Sequence, residues 1–486
     1  MEDVHASEVR VAQAITGSLE AYQHYFEGQQ CSEHLQRVGA WRSEECAVAY
    51  RRALAIDPTF ALAHYALALG PADVTPTPEQ HTAIAEAVKH TERVPEKERL
   101  LIRAWATHLD GRDADALALY RVAIDRFPHE TPALFLAGDL LHHRSERALA
   151  VPFFERVVAL HPAHAWALDH LVDDLAHLGE RGRLRRLADD LARAPRGAAV
   201  LHALSEAYGW LGDVPGAVQA ARREVEAGGG TEAREDVAKA LLFAGDFDGA
   251  EVELRDQLAA APGDPYLNLD LAAVLASQGR RREGFAHLRR LAVPESDDQA
   301  LRVSYRVGDG RDAASRAAAA ISDPTERGPQ LAVLLAFVGD LEGAARFARR
   351  LEPGSIHAQE YQGIALWRQH RHDEALAILR AAERLDRTPA TIAPAFVAAE
   401  IAAAAGRDAE TVESIGRFHA IYEPLTIWRS WAYPRSLVLL ARCQDRLGRV
   451  AESRAALARF LAMWRRADKD APLLAEARAL DARLAR

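Results

Sequence analysis

One pattern constrains this chain more than any other: a turn residue, a small residue five positions later and a bulky one nine positions later, recurring at a nearly constant interval. Gly111 precedes Ala116 and Tyr120, and Ser145 precedes Ala150 and Phe154. The same offsets follow at Gly179 with Leu184 and Ala188, Gly212 with Ala217 and Ala221, Gly245 with Ala250 and Leu254, and Gly279 with Gly284 and Leu288. Successive turn residues lie 34, 34, 33, 33 and 34 positions apart. After an irregular stretch the pattern returns at Gly339 with Ala344, His370 with Ala375 and Leu379, Gly406 with Ile415, and Gly448 with Leu457. Such a period accommodates two antiparallel helices and two turns, and neither helix is long enough to bury its apolar face alone. Neighbouring pairs therefore have to stack.

Each position in the period has a mechanical role. Glycine after the first helix supplies the left-handed cap, the small residue lets two helices approach closely, and the bulky one fills the space beside it. Proline closes many units, at Pro58, Pro128, Pro162, Pro195 and Pro262, where it stops the second helix. Composition agrees. Alanine dominates, aromatics make up 7% of the 486 residues, and Ala, Leu, Arg and Glu favour helix over strand. The expected fold is all-α: a right-handed α-solenoid of about 11–13 antiparallel helix pairs.

The pattern resembles the tetratricopeptide repeat. The unit from Thr131 to Pro162 carries the resemblance best, with Leu134, Ala137, Gly138, Leu141, Ala150, Phe154 and Pro162; Ala116, Tyr120 and Ala123 precede it, Tyr50 and Ala53 lie earlier, and Gly363, Leu366, Ala375, Leu379 and Ala382 later. It covers roughly nine-tenths of the chain. The entry, Gly17 to Gly28 followed by Ala55 to Tyr65, and the exit, Leu440 to Asp470, are similar to repeat regions attached to bacterial serine/threonine kinases and transcriptional regulators. The expected organisation is an N-terminal cap and first repeat over 1–70, a regular array over 77–290, degenerate repeats with a kink over 291–330, and a second array with a capping helix over 331–486.

Several function classes fall away. A net charge of −10 argues against a dedicated nucleic-acid binder. No apolar run approaches the ~20 residues of a membrane span, and the start lacks the basic and apolar run of a signal peptide. Cys31, Cys46 and Cys443 show no CxxC spacing and read as packed thiols of a cytoplasmic protein. Phosphate-loop, kinase, Gly-x-Ser-x-Gly and HExxH signatures are missing, and Gly308-Asp309-Gly310 has no preceding strand, so no enzyme and no cofactor is expected. His142-His143, and His170 with Asp173 or Asp174 on one helical face, could in principle hold a metal, but they fit a solvated polar face and no metal is assigned.

What the resemblance leaves is a surface. In that family the first helix of each pair lines the concave side, at positions roughly thirteen, ten, nine and six before the capping residue. Carried over, this implies Phe135 and Asp139, with His142 one step further along the same helix; Trp166, Asp169 and Asp173; His202 and Glu206; and Glu232, Glu235 and Asp236. Aromatics among carboxylates suit a protein partner or an extended basic peptide. The expected function is a non-catalytic interaction scaffold or sensor. The alternatives are the regulatory half of a bacterial kinase or transcriptional regulator, and a solenoid that takes a small ligand.

Overall fold

The structure is a computed structural model that describes residues 15–37, 44–70, 77–144, 146–194, 197–290, 324–351, 353–385, 393–420 and 432–485. These form 25 α-helices and a short 3-10 turn, with no strand among the described residues. Consecutive helices pack as antiparallel pairs, for example Glu96–Leu109 on Asp113–Arg126 and Thr131–His143 on Arg147–Leu160, and neighbouring pairs pack on one another, as Asp113–Arg126 does on Thr131–His143 and His372–Leu385 on Pro394–Ala404. The chain is thus an α-solenoid. It divides into two compact units, one of residues 1–207 and 222–230, the other of 208–221 and 231–486. The expected degenerate stretch at 291–330 falls almost wholly outside the described residues, as do Ser145 and Pro195.

The periodic turn residues do what their spacing requires. Gly111, Gly179, Gly212, Gly245, Gly279, Gly339, Gly406 and Gly448 all have φ between 72° and 91°. At Gly179 the chain reverses through hydrogen bonds from Gly179 N to Ala176 O (3.0 Å) and from Glu180 N to Leu175 O (2.9 Å). His370 stands where the period calls for glycine, and it too has a positive φ, 63°, with the same pair of bonds from His370 N and Arg371 N. A β-carbon in that region costs roughly 1–2 kcal/mol, so the turn here is imposed by the two helices it joins.

Inside each pair the small and bulky positions meet. A β-carbon on Gly138 would lie 2.8 Å from the Phe154 ring, and one on Gly363 would lie 2.8 Å from Leu379 Cγ. Ala116, Ala150, Ala217, Ala250, Ala344 and Ala375 are all wholly buried. The close crossing therefore depends on residues that have almost no side chain.

The cysteine expectation is corrected at the first pair. Helices Leu19–Arg37 and Glu44–Ile56 run antiparallel and bring the α-carbons of Cys31 and Cys46 to 5.4 Å, where the two are joined as a disulfide. Cys443 is a buried thiol. Hairpin pairing placed the two cysteines opposite each other, which a spacing of 15 residues does not reveal. The thiol argument for a cytoplasmic location no longer holds, since disulfides persist mainly in oxidising compartments. No described helix is long and apolar enough to cross a membrane.

The second unit also has contacts that a simple stack lacks. Trp464 Nε1 donates to Ser277 O at 2.7 Å, and Asp468 N donates to Gly279 O at 3.0 Å. Arg280 and Arg466 both reach Glu251, at 2.6 and 2.8 Å. Burial opposes ionisation of Glu251, but its bonds from Arg280 and Arg255 outweigh that and hold it at about 2. The last helical pairs of this unit are thereby fastened to a pair some 190 residues earlier.

Candidate functional site

Helices Thr131–His143 and Ala165–His177 of the first unit, and Ala198–Leu211, of which residues 198–207 belong to that unit, are the first members of consecutive pairs. Along Ala165–His177, Trp166, Asp169, His170, Asp173, Asp174 and His177 recur at three- and four-residue steps, so they share one side of the helix. Asp139, His142 and His143 do the same on Thr131–His143. Solvated polar faces were expected here. Instead, the two helices turn these residues toward each other.

The centre is His170, which is 5% exposed. Its Nε2 donates to Asp139 Oδ1 and its Nδ1 to Asp169 Oδ2, each at 3.1 Å. His143 Nε2 lies 3.3 Å from the same Asp139 oxygen. His142 stacks on His170 with ring centroids 4.1 Å apart and planes within 7°, and its Nδ1 bonds Asp174 Oδ1 at 2.8 Å. Arg147, from the second helix of its pair, donates to Asp173 (2.7 Å) and Asp174 (3.0 Å). His177 Nδ1 is 3.0 Å from Asp173. At the edge, His202 lies 3.6 Å from both Asp169 and Glu224.

The electrostatics follow from this geometry. Burial opposes protonation of His170, but its bonds to Asp139 and Asp169 outweigh that and lift the imidazole to about 10. Burial likewise opposes ionisation of Asp139 and Asp169. Hydrogen bonds from His143 and His170 to the one, and from His170 and His202 to the other, hold both below the usual carboxylate range. Asp173 is held at about 2, burial being outweighed by its bond to His177. A His170 that donates from both ring nitrogens is an imidazolium, so in this state it is no general base.

Placement of the expected groove residues is uneven. Phe135 is 6% exposed, packed against His164 (4.9 Å) and Phe154 (6.2 Å), and Asp139 has no exposure at all. Neither can present itself on a groove surface, because the following pair covers that side of their helix. His142 is half-buried. Trp166 is also half-buried, with its ring 6.1 Å from His170. The side chains of Asp169, Asp173 and His202 are 31%, 29% and 27% exposed, and Glu206 is 9% exposed. The remaining three belong to the second unit. There Asp236 is buried and paired with Lys239 at 2.9 Å, Glu235 is half-buried, and the side chain of Glu232 lies outside the described residues. Burial drives Glu235 up to about 7, against the pull of Lys239 and with repulsion from Asp270, Asp236 and Asp264.

Sequence reasoning passed over Arg147, His177 and Glu224, and took His143, His170 and Asp174 for groups of a solvated polar face. The signal was present in the spacings of 139–143 and 169–177. A polar face turned inward reads the same as one turned outward.

No family model matches the chain, and no curated protein matches it. Among solved structures the chain is similar to the crystal structure of the APC/C hetero-tetramer Cut9-Hcn1, at 13% identity and a TM-score of 0.42, over 96% of this chain and 76% of that one.

Proposed function

We propose that this chain is a non-catalytic scaffold or sensor that binds an extended basic segment of another protein along the first helices of its pairs. The observation that supports this most is Trp166. It is half-buried, on the same face as Asp169 and Asp173, with Glu206 on the helix alongside. An aromatic that is partly desolvated before binding and has carboxylates around it suits an arginine- or lysine-bearing strand.

Fluorescence anisotropy with a panel of labelled arginine- and lysine-containing peptides tests the reading, with acidic peptides of equal length as controls. Trp166→Ala removes the anchor, and truncating such an interface aromatic costs about 2 kcal/mol or more, roughly 30-fold in Kd. Asp169→Asn with Asp173→Asn weakens binding most at low salt, since partly exposed charges act chiefly on association. If basic and acidic peptides bind alike, or if folded Trp166→Ala binds as well as the unaltered chain, the proposal is wrong.

A further inference from the structure

The cluster around His170 supports a second reading that does not depend on peptide binding. Helix Thr131–His143 contributes Asp139, His142 and His143 at i, i+3 and i+4, and helix Ala165–His177 contributes His170 across from them. One ring nitrogen of each of His142, His143 and His170 lies within 4.8 Å of one from each of the others. Asp139 Oδ1 lies 3.1 Å from His170 Nε2 and 3.3 Å from His143 Nε2. Ligands at about 2.0–2.2 Å from a tetrahedral zinc ion are about 3.3–3.6 Å apart, so the His143–Asp139 spacing matches a shared cation and the His170–Asp139 hydrogen bond needs to open by only about 0.2–0.5 Å.

We propose that His142, His143 and His170, with Asp139, form a binding site for one zinc-class divalent cation. The surroundings are not those of a solvated face, although His142, whose ring lies parallel to that of His170 at 4.1 Å, has to turn out of this stack to ligate the same ion. The Nδ1 atoms of His142 and His170 are held by Asp174 at 2.8 Å and by Asp169 at 3.1 Å. A carboxylate holding the outer nitrogen of a ligand imidazole fixes its orientation and raises its basicity.

A separate observation concerns the buried oxygens. Asp139 and Asp174 have no solvent exposure, and Oδ2 of each is buried without a hydrogen-bond partner. Leaving a buried charged acceptor unsatisfied is costly, and a cation removes that cost at Asp139 if it is bound by Oδ2 as well as Oδ1. Charge balance agrees. Four carboxylates, those of Asp139, Asp169, Asp173 and Asp174, share this cluster with one guanidinium, that of Arg147. Metal binding replaces the Nε2 proton of His170, which passes to solvent, with a divalent ion.

Three imidazoles select zinc, cobalt or nickel over magnesium and calcium, which take oxygen ligands. Two neighbouring groups are weaker candidates. In His142, Asp173 and Asp174 the position is already taken by the Arg147 guanidinium, and Asp169, His202 and Glu206 offer a single imidazole.

The test uses the full chain, treated with EDTA, freed of chelator and titrated with Zn2+ against a chromophoric chelator, with bound metal counted by mass spectrometry after desalting. The expected result is one equivalent held at micromolar affinity or tighter. Co2+ in its place should give the intense visible bands of a four-coordinate nitrogen and oxygen site. His143→Gln should lose the equivalent, and Asp169→Asn should weaken binding by about 10- to 100-fold, as loss of a carboxylate behind a ligand imidazole does. His161→Gln, exposed on a nearby turn, should change nothing. Circular dichroism confirms that each variant is folded, and the Co2+ spectrum of the unaltered chain decides without any variant. The proposal is overturned if no stoichiometric Zn2+ is retained, if Co2+ shows only the weak bands of six-coordinate oxygen binding, or if folded His143→Gln and Asp169→Asn bind as the unaltered chain does. Any of these results makes the cluster a buried histidine–aspartate network that binds no cation.

Discussion

Gly279 and Gly448 occupy the same place in their repeats and have the same φ of 75°, yet replacing them with alanine should have different costs. At Gly448 an added β-carbon meets no atom within 4 Å, so Gly448→Ala is charged only for left-handed backbone, about 1–2 kcal/mol, part of which is offset by reduced freedom of the unfolded chain. At Gly279 the β-carbon would lie 2.6 Å from Ala467 Cβ and 2.9 Å from the Trp464 ring. Carbon atoms pack best at about 3.5–4.0 Å, so the 464–468 turn has to retreat by about 1 Å. That turn is held by the bonds of Trp464 to Ser277 and of Asp468 to Gly279, both of which stretch. Overpacking of this kind costs about 1–3 kcal/mol, which puts Gly279→Ala at about 2–4 kcal/mol and Gly448→Ala at about 1. Urea unfolding followed by circular dichroism gives the two costs. Hydrogen exchange over 277–282 and 464–470 shows whether protection is lost at both places in Gly279→Ala alone. Equal costs with unchanged exchange would refute the fastening of the last pairs to the Gly279 turn.

Three further expectations concern other parts of the chain. Ala150→Leu and Gly138→Ala each force atoms into the crossing beside Phe154 and should each cost about 1–3 kcal/mol in the same urea assay; a neutral result at both would refute the close crossing. Glu235 has a folded pKa of about 7 against an ordinary 4.5, so the folded state binds more protons between these values and loses stability as pH rises through that window. Glu235→Gln should therefore stabilise the chain by on the order of 1 kcal/mol at pH 8 and not at pH 4, and melts at the two pH values that shift equally would contradict this. The Cys31–Cys46 bond closes a 15-residue loop, worth about 3 kcal/mol, so reduction should lower the stability of the first pair. Alkylation of both thiols in the folded, unreduced protein would show that the bond is absent.

The all-α solenoid was legible because its determinants are local and repeat. A cap needs a residue that tolerates positive φ, a crossing needs a residue without bulk, and both needs recur with every pair. The period even located His370, whose type argued against the turn it makes. The exposure of the expected groove residues was legible only in part. Trp166, Asp169, Asp173 and His202 were identified from phase, and they remain partly open to solvent. Phe135 and Asp139 were identified by the same phase and are buried.

The difference arises because helical spacing determines which residues share a face and carries no information about what lies opposite it. Asp139 meets His170 across 31 residues, Cys31 meets Cys46 across a hairpin, and Trp464 meets Ser277 across 187 residues. The chain's own periodicity therefore determines the helix, its cap and the crossing within a pair. The burial of the histidine–carboxylate cluster, the pKa of His170 and the anchoring of the last pairs are decided by the packing of one pair on another, because each depends on groups that only tertiary structure brings within a few ångströms.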